Sequence, residues 1–149
     1  MTTFLTTTPA GVSKGALRPR PTISPVALRF RALLTSMDDL IAAELDLDGY
    51  CGQDPALDAW IRDAERARLA TLDVITALDD LPTFGPADTK LKQVSRLFRM
   101  VMVSDDPAQV AYLRARAAEP DRFLLTSGPP LNFRLNQLIL DGLERLECF

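Results

Sequence analysis

The stretch SPVALRFRALLTSMDDLIAAELDLDG, residues 24–49, decides the fold class. Ser24 followed by Pro25 is a helix start. The serine hydroxyl can accept an N–H of the first turn, and proline tolerates the position where no N–H partner exists. From there Val26, Phe30, Leu33, Met37 and Leu40 recur at steps of three and four, with Ile41 beside the last. That spacing lines one face of a helix. Gly49 supplies a terminator, so the stretch predicts one long amphipathic helix closing near Leu47.

The same grammar repeats downstream. Asp54-Pro55 predicts a second start, after which Leu57, Ile61, Ala64, Leu72, Ile75 and Leu78 run to Leu81-Pro82, with Trp60 beside them. A loop holding Pro82, Gly85 and Pro86 leads to a third helix over about 86–103, with Leu91, Val94, Phe98, Val101 and Met102 as its apolar face. Asp106-Pro107 opens a shorter fourth helix carrying Val110, Ala111 and Leu113, closed by Pro120. Phe123, Leu124 and Leu125 are expected to form a helical turn. After Gly128-Pro129-Pro130 a last helix shows apolar residues on nearly two faces: Leu135, Leu138, Ile139, Leu140, Leu143 and Leu146. Such a helix is either central to a bundle or packed on a second chain. No stretch alternates with the period of a strand. The expectation is an all-α antiparallel bundle of four to five helices, one domain over 25–149, preceded by an extended arm over 1–24.

That arm is rich in Thr and Pro, and its prolines Pro9, Pro19 and Pro21 prevent a continuous helix. It also concentrates charge. Residues 1–37 carry Lys14, Arg18, Arg20, Arg29 and Arg31 and no acid, while the remaining residues hold 12 basic and 20 acidic groups. A basic arm on an acidic body points to contact with an anionic partner or with the body itself. The Arg-rich, acid-poor start has something of a transit peptide, but its prolines spoil the amphipathic helix such peptides need.

Composition excludes several classes. At 149 residues with 47% hydrophobic and 25% charged residues the chain is globular. Its longest apolar tract, Leu97 to Val103, is broken by Arg99, so no membrane span or secretory leader is expected. Cys51 and Cys148 are two cysteines, which suits thiols in a reducing cytoplasm, and with no histidine they cannot build a four-ligand zinc site. The missing histidines also remove the commonest general base. Asp38/Asp39, Asp79/Asp80 and Asp105/Asp106 are adjacent pairs that diverge around a helix or cap its end. Cys51, among carboxylates, is a dulled nucleophile. No phosphate-binding glycine loop or dinucleotide fingerprint occurs. A catalytic role, a cofactor and a metal are not expected.

Three features remain. Glu44, Asp46 and Asp48 alternate before Gly49, with the Tyr50 carbonyl next and Asp54 beyond. This spacing resembles the calcium loop of the EF-hand family, which would imply oxygen ligands from those residues. Pro55 stands where the family closes its cage with a bidentate glutamate, so the residues read as an acidic helix end and a solvated turn. Lys92, Arg96 and Arg99, with Lys90 nearby, fall at helical spacing opposite the apolar face of the third helix, and no acid occurs between Thr89 and Ser104. That stripe would suit a recognition helix reading phosphates and guanine edges, or would face the acidic first two helices. Finally Trp60, Tyr50, Tyr112, Phe84, Phe123 and Phe133 lie at helix ends or off the main stripes, where aromatics serve as contact anchors.

The sequence therefore reads as a non-enzymatic, cytoplasmic helical bundle working through protein–protein contacts, as an assembly, adaptor or regulatory subunit, with self-association into a homodimer among the expectations. Trp60, Leu140 and Leu143 are the interface candidates. The basic arm, Lys14 to Arg31, and the last helix are the expected contact elements. Lys14, Arg18, Arg20, Lys92, Arg96 and Arg99 are the candidates for contact with a partner or with nucleic acid. The alternative is a nucleic-acid-associated protein using the arm and the basic stripe of the third helix.

Overall fold

A computed structural model describes residues 23–48, 56–126, 128 and 130–148. Among them are five α-helices: α1 (Pro25–Asp48), α2 (Leu57–Asp79), α3 (Pro86–Val103), α4 (Pro107–Ala117) and α5 (Leu131–Glu147). A single 3-10 turn, Pro120–Arg122, joins α4 to the approach of α5. The all-α bundle read from the sequence is what the described residues form. The expected arm is outside them over residues 1–22, as is the Asp54-Pro55 start; α2 begins behind Ala56 without a side-chain cap. The turn expected at Phe123–Leu125 falls three residues earlier, because Pro120 starts it and Phe123 turns inward to 5% exposure.

Caps fix where the helices begin. The Ser24 hydroxyl accepts from the Ala27 N–H at 3.1 Å and donates to Asp88 Oδ1 at 2.5 Å. Asp88 in turn accepts the Phe84 N–H at 3.0 Å through its other oxygen. A buried carboxylate in the first turn of α3 thus satisfies its lone pairs near the positive helix end and ties the starts of α1 and α3 together. Asp106 caps α4, accepting from the Ala108 N–H at 2.9 Å.

The starts of α1, α3 and α5 gather at one end, whereas the end of α2 and the segment after α4 both meet early α3. Helices α1, α3 and α5 therefore run one way and α2 and α4 the other. Short loops make this the natural outcome. The core forms where α1, α3 and α5 meet, with Ile75 and Leu78 of α2 buried against it. Val26, Phe30, Leu33, Met37 and Leu40 of α1 and Leu91, Val94 and Phe98 of α3 are all at 0–1% exposure. From α5 they meet Leu135, Ile139, Leu143 and Leu146. Gly142 permits the closest approach. A Cβ built there would lie 3.0 Å from the Phe30 ring and 3.4 Å from Val94 Cγ1.

Helix α2 departs from its expected face. Ile61 is 40% exposed, whereas Thr71 is fully buried against α1. The Thr71 hydroxyl donates to the Ala67 carbonyl at 2.9 Å and accepts the Ser36 hydroxyl at 2.7 Å, which removes the cost of burying it. Asn136 of α5 holds the segment after the 3-10 turn, accepting the Leu125 N–H at 2.8 Å and donating to the Leu125 carbonyl at 3.0 Å.

Candidate interaction surface

Helices α2 and α3 brace each other with cations. The carbonyls of a helix's last turn have no partner within the helix and carry the negative end of its dipole. Lys92 of α3 donates its ammonium to the carbonyls of Asp79, at 2.8 Å, and Leu81, at the end of α2. Arg68 of α2 reciprocates by donating to the Met102 carbonyl at the end of α3. Lys92 is 7% exposed and its head is engaged within the chain. It is therefore not part of an outward basic stripe, a correction to the spacing argument. The fold packs the C-terminal end of α2 over that position.

The two other members of the stripe differ. Arg96 is exposed and pairs with Asp79, Nε to Oδ1 at 3.1 Å, so this side does face the acidic α2 in part. Arg99 is exposed and makes no ion pair among the described residues. Lys14, Arg18 and Arg20 are outside the described residues.

The interface candidates also separate. Leu143 is 5% exposed and belongs to the bundle core, so it is corrected as a contact residue. Leu140 is at the edge, 37% exposed. Trp60 is half-buried near the start of α2. Helix α5 packs on α1, α3 and α4, which accounts for most of its double apolar face within one chain. The acidic run ending α1 stays helical through Asp48, so Glu44 and Asp46 stand on diverging sides of a helix rather than in a ligand loop. Gly49, Tyr50, Asp54 and Pro55 are outside the described residues, and among those described no group of three or more metal-ligating side chains gathers. No helix of the described residues is long and apolar enough to cross a membrane.

What the structure adds is a groove of about 430 Å³ between α3 and the α4–3-10 segment. Its floor is apolar: Leu97 and Met100 from α3, Leu113 from α4, and Phe123 beyond the 3-10 turn. Its rim is basic: Lys90, Arg96, Arg116 and Arg122 line it and no carboxylate does. Lys90 donates to the Arg122 carbonyl at 2.5 Å, which fixes the corner of the groove. Arg122 meets Glu119 at 2.5 Å, with both side chains more than half exposed. Arg116 makes no ion pair among the described residues and stands exposed at the end of α4. Met100, 42% exposed, gives the floor an adaptable surface.

The other clefts are less equipped. One of about 210 Å³ is built around Arg68, whose guanidinium is already engaged with Met102. Another of about 450 Å³, at the end where α1, α3 and α5 begin, is lined by Ile23, Phe84, Leu131 and Leu135, and its Asp88 is pinned by Ser24.

Sequence reasoning found Arg96 but missed Arg116, Met100 and the groove itself. The signal lay in Arg114 and Arg116 closing a short helix, but their meaning depends on α4 folding back along α3. Comparisons with protein-family models, with curated proteins and with solved structures return no match.

Proposed function

We propose that this chain is a non-enzymatic bundle protein, an assembly, adaptor or regulatory subunit, that acts by seating an acidic, partly apolar protein segment in the α3–α4 groove. The reading includes a cytoplasmic setting. One observation carries it: four basic side chains surround a floor of Leu97, Met100, Leu113 and Phe123 with no carboxylate among the lining residues. An apolar floor favours a side chain of a partner helix or turn, and the basic rim selects acidic flanks. Nucleic acid would call for a track of cations facing outward to phosphates. Here Lys92 is buried, and the chain is acidic overall with a net charge of −3.

A contact of this size is a transient one. Nine residues line the groove, well short of the roughly 20–30 residues per side typical of stable complexes. Titration calorimetry with a capped helical peptide of Leu and Glu at helical spacing is expected to give Kd on the order of 10–1000 µM at low salt. Arg116→Glu weakens that binding about 10-fold, equivalent to about 1.4 kcal/mol, while Arg62→Glu on α2 leaves it unchanged. A duplex DNA probe gives no saturable binding at the same salt. Binding of DNA but not of the peptide contradicts the reading and selects the nucleic-acid alternative.

A further inference from the structure

The groove has a matching surface on the same chain. Charge divides between the two halves of the bundle: residues 25–80 hold five basic and twelve acidic side chains, whereas residues 86–126 hold seven basic and five acidic. On α2, Asp58, Ile61, Glu65, Leu69 and Asp73 follow at steps of three and four, and all are exposed. Leu69 is 64% exposed and Ile61 40%, so two aliphatic side chains stand in water between carboxylates. Asp58, Glu65 and Asp73 make no ion pair among the described residues. Arg62 lies within this stripe; at its flanks Arg66 is paired with Asp63 at 2.9 Å and Arg68 donates to the Met102 carbonyl.

Resting on the reading of the groove as a protein-contact site, we propose that its occupant is the outward stripe of α2 from a second copy of this chain. Leu69 enters the apolar floor between Met100 and Leu113, and Glu65 and Asp73, one turn to either side, meet Arg116 and the rim. The fit joins two different patches, so the contact is heterologous: each copy offers one groove and one stripe. Such contacts add copies head to tail unless the rotation closes a ring. Attraction between exposed charges is screened over about 10 Å at 0.1 M salt, so the association is salt-sensitive.

Sedimentation of the full chain at low salt and at concentrations up to about 1 mM, the range of weak contacts, is expected to show a mass that rises with concentration and returns to one chain at high salt. Leu69→Glu and Arg116→Glu are both on exposed positions and retain the helical far-ultraviolet spectrum. At concentrations near the wild-type Kd, where a 10-fold weakening leaves little complex, each alone stays at the mass of one chain. Mixed, they form a 1:1 complex and nothing larger, because one still has a good groove and the other a good stripe. A wild-type chain that stays single throughout overturns the proposal. So does self-association undiminished in either variant, or a mixture that forms no complex. If the Leu/Glu peptide binds the groove while the chain stays single, the groove reading stands and the second copy is excluded as its occupant. If neither is seen, both fall.

Discussion

Phe30→Ala lowers the free energy of unfolding by about 3–5 kcal/mol, toward the upper part of the range for a fully buried aromatic. The cost of such a deletion depends on whether neighbours can move into the space. Phe30 is completely buried where α1, α3 and α5 meet, and its ring lies against the one helical position, Gly142, that has no side chain to lean inward. The backbone of α5 cannot close the gap without also shifting Leu143, Leu146 and the pair formed by Arg145 and Asp38. In that pair the Arg145 Nε meets Oδ1 at 2.6 Å and its Nη2 meets Oδ2 at 2.9 Å. The cavity therefore persists. Against a total stability of roughly 5–15 kcal/mol for a domain, the loss is a large fraction. Thermal unfolding followed by circular dichroism is expected to show Tm lower by roughly 10 °C or more for a chain of this size. A loss under about 1 kcal/mol, typical of a peripheral site, contradicts the placement of Phe30 at the centre of the core.

Lys92→Met is the second large effect, about 2–3 kcal/mol of destabilisation, with the apolar stem of the side chain retained. What is lost is the ammonium between the carbonyls of Asp79 and Leu81. Two hydrogen bonds to a charged group at about 1.5–3 kcal/mol each are offset in part by the desolvation cost of the buried charge that methionine removes. Those carbonyls lie at the end of α2, where no N–H of the helix reaches them. Arg99→Ala, on the exposed side of the same helix, changes stability by no more than about 0.5 kcal/mol. Urea denaturation of both variants makes the comparison. Equal, small effects would return Lys92 to the outward stripe that its spacing suggested.

The contrast between these two residues marks what local sequence can carry. The faces of α1 and α3 were legible because apolar residues repeat with the helical period and because Ser24-Pro25, Gly85-Pro86 and Asp106-Pro107 punctuate them. Every residue assigned to the apolar face of α3 is buried. Lys92 sits one residue, about 100°, round from Leu91, at the boundary of that face. Whether a boundary residue meets water or a neighbour depends on where α2 ends, which periodicity in α3 does not encode. Ile61 and Thr71 exchange their expected places on α2 for a related reason. A hydroxyl reads as polar until Ser36 and the Ala67 carbonyl are brought to it. The link from Ser24 to Asp88 spans 64 residues and is invisible to local patterns.

The groove was least legible of all. Its rim and floor come from α3, α4 and the 3-10 turn, and none of the three carries a motif. Only the return of α4 along α3 brings Arg116 and Leu113 into one groove with Arg96 and Leu97.

Seating of an acidic, partly apolar protein segment in the α3–α4 groove has a direct spectroscopic readout. Amide chemical-shift mapping of the labelled full chain, titrated with the Leu/Glu peptide at low salt, tests it most directly. Saturable shifts clustered on Lys90, Gln93, Arg96, Leu97, Met100, Leu113, Arg116 and Phe123, reversed by added salt, are expected. Shifts confined to α2 or α5, or none at peptide concentrations of about 1 mM, the weak limit for a specific contact, would contradict it.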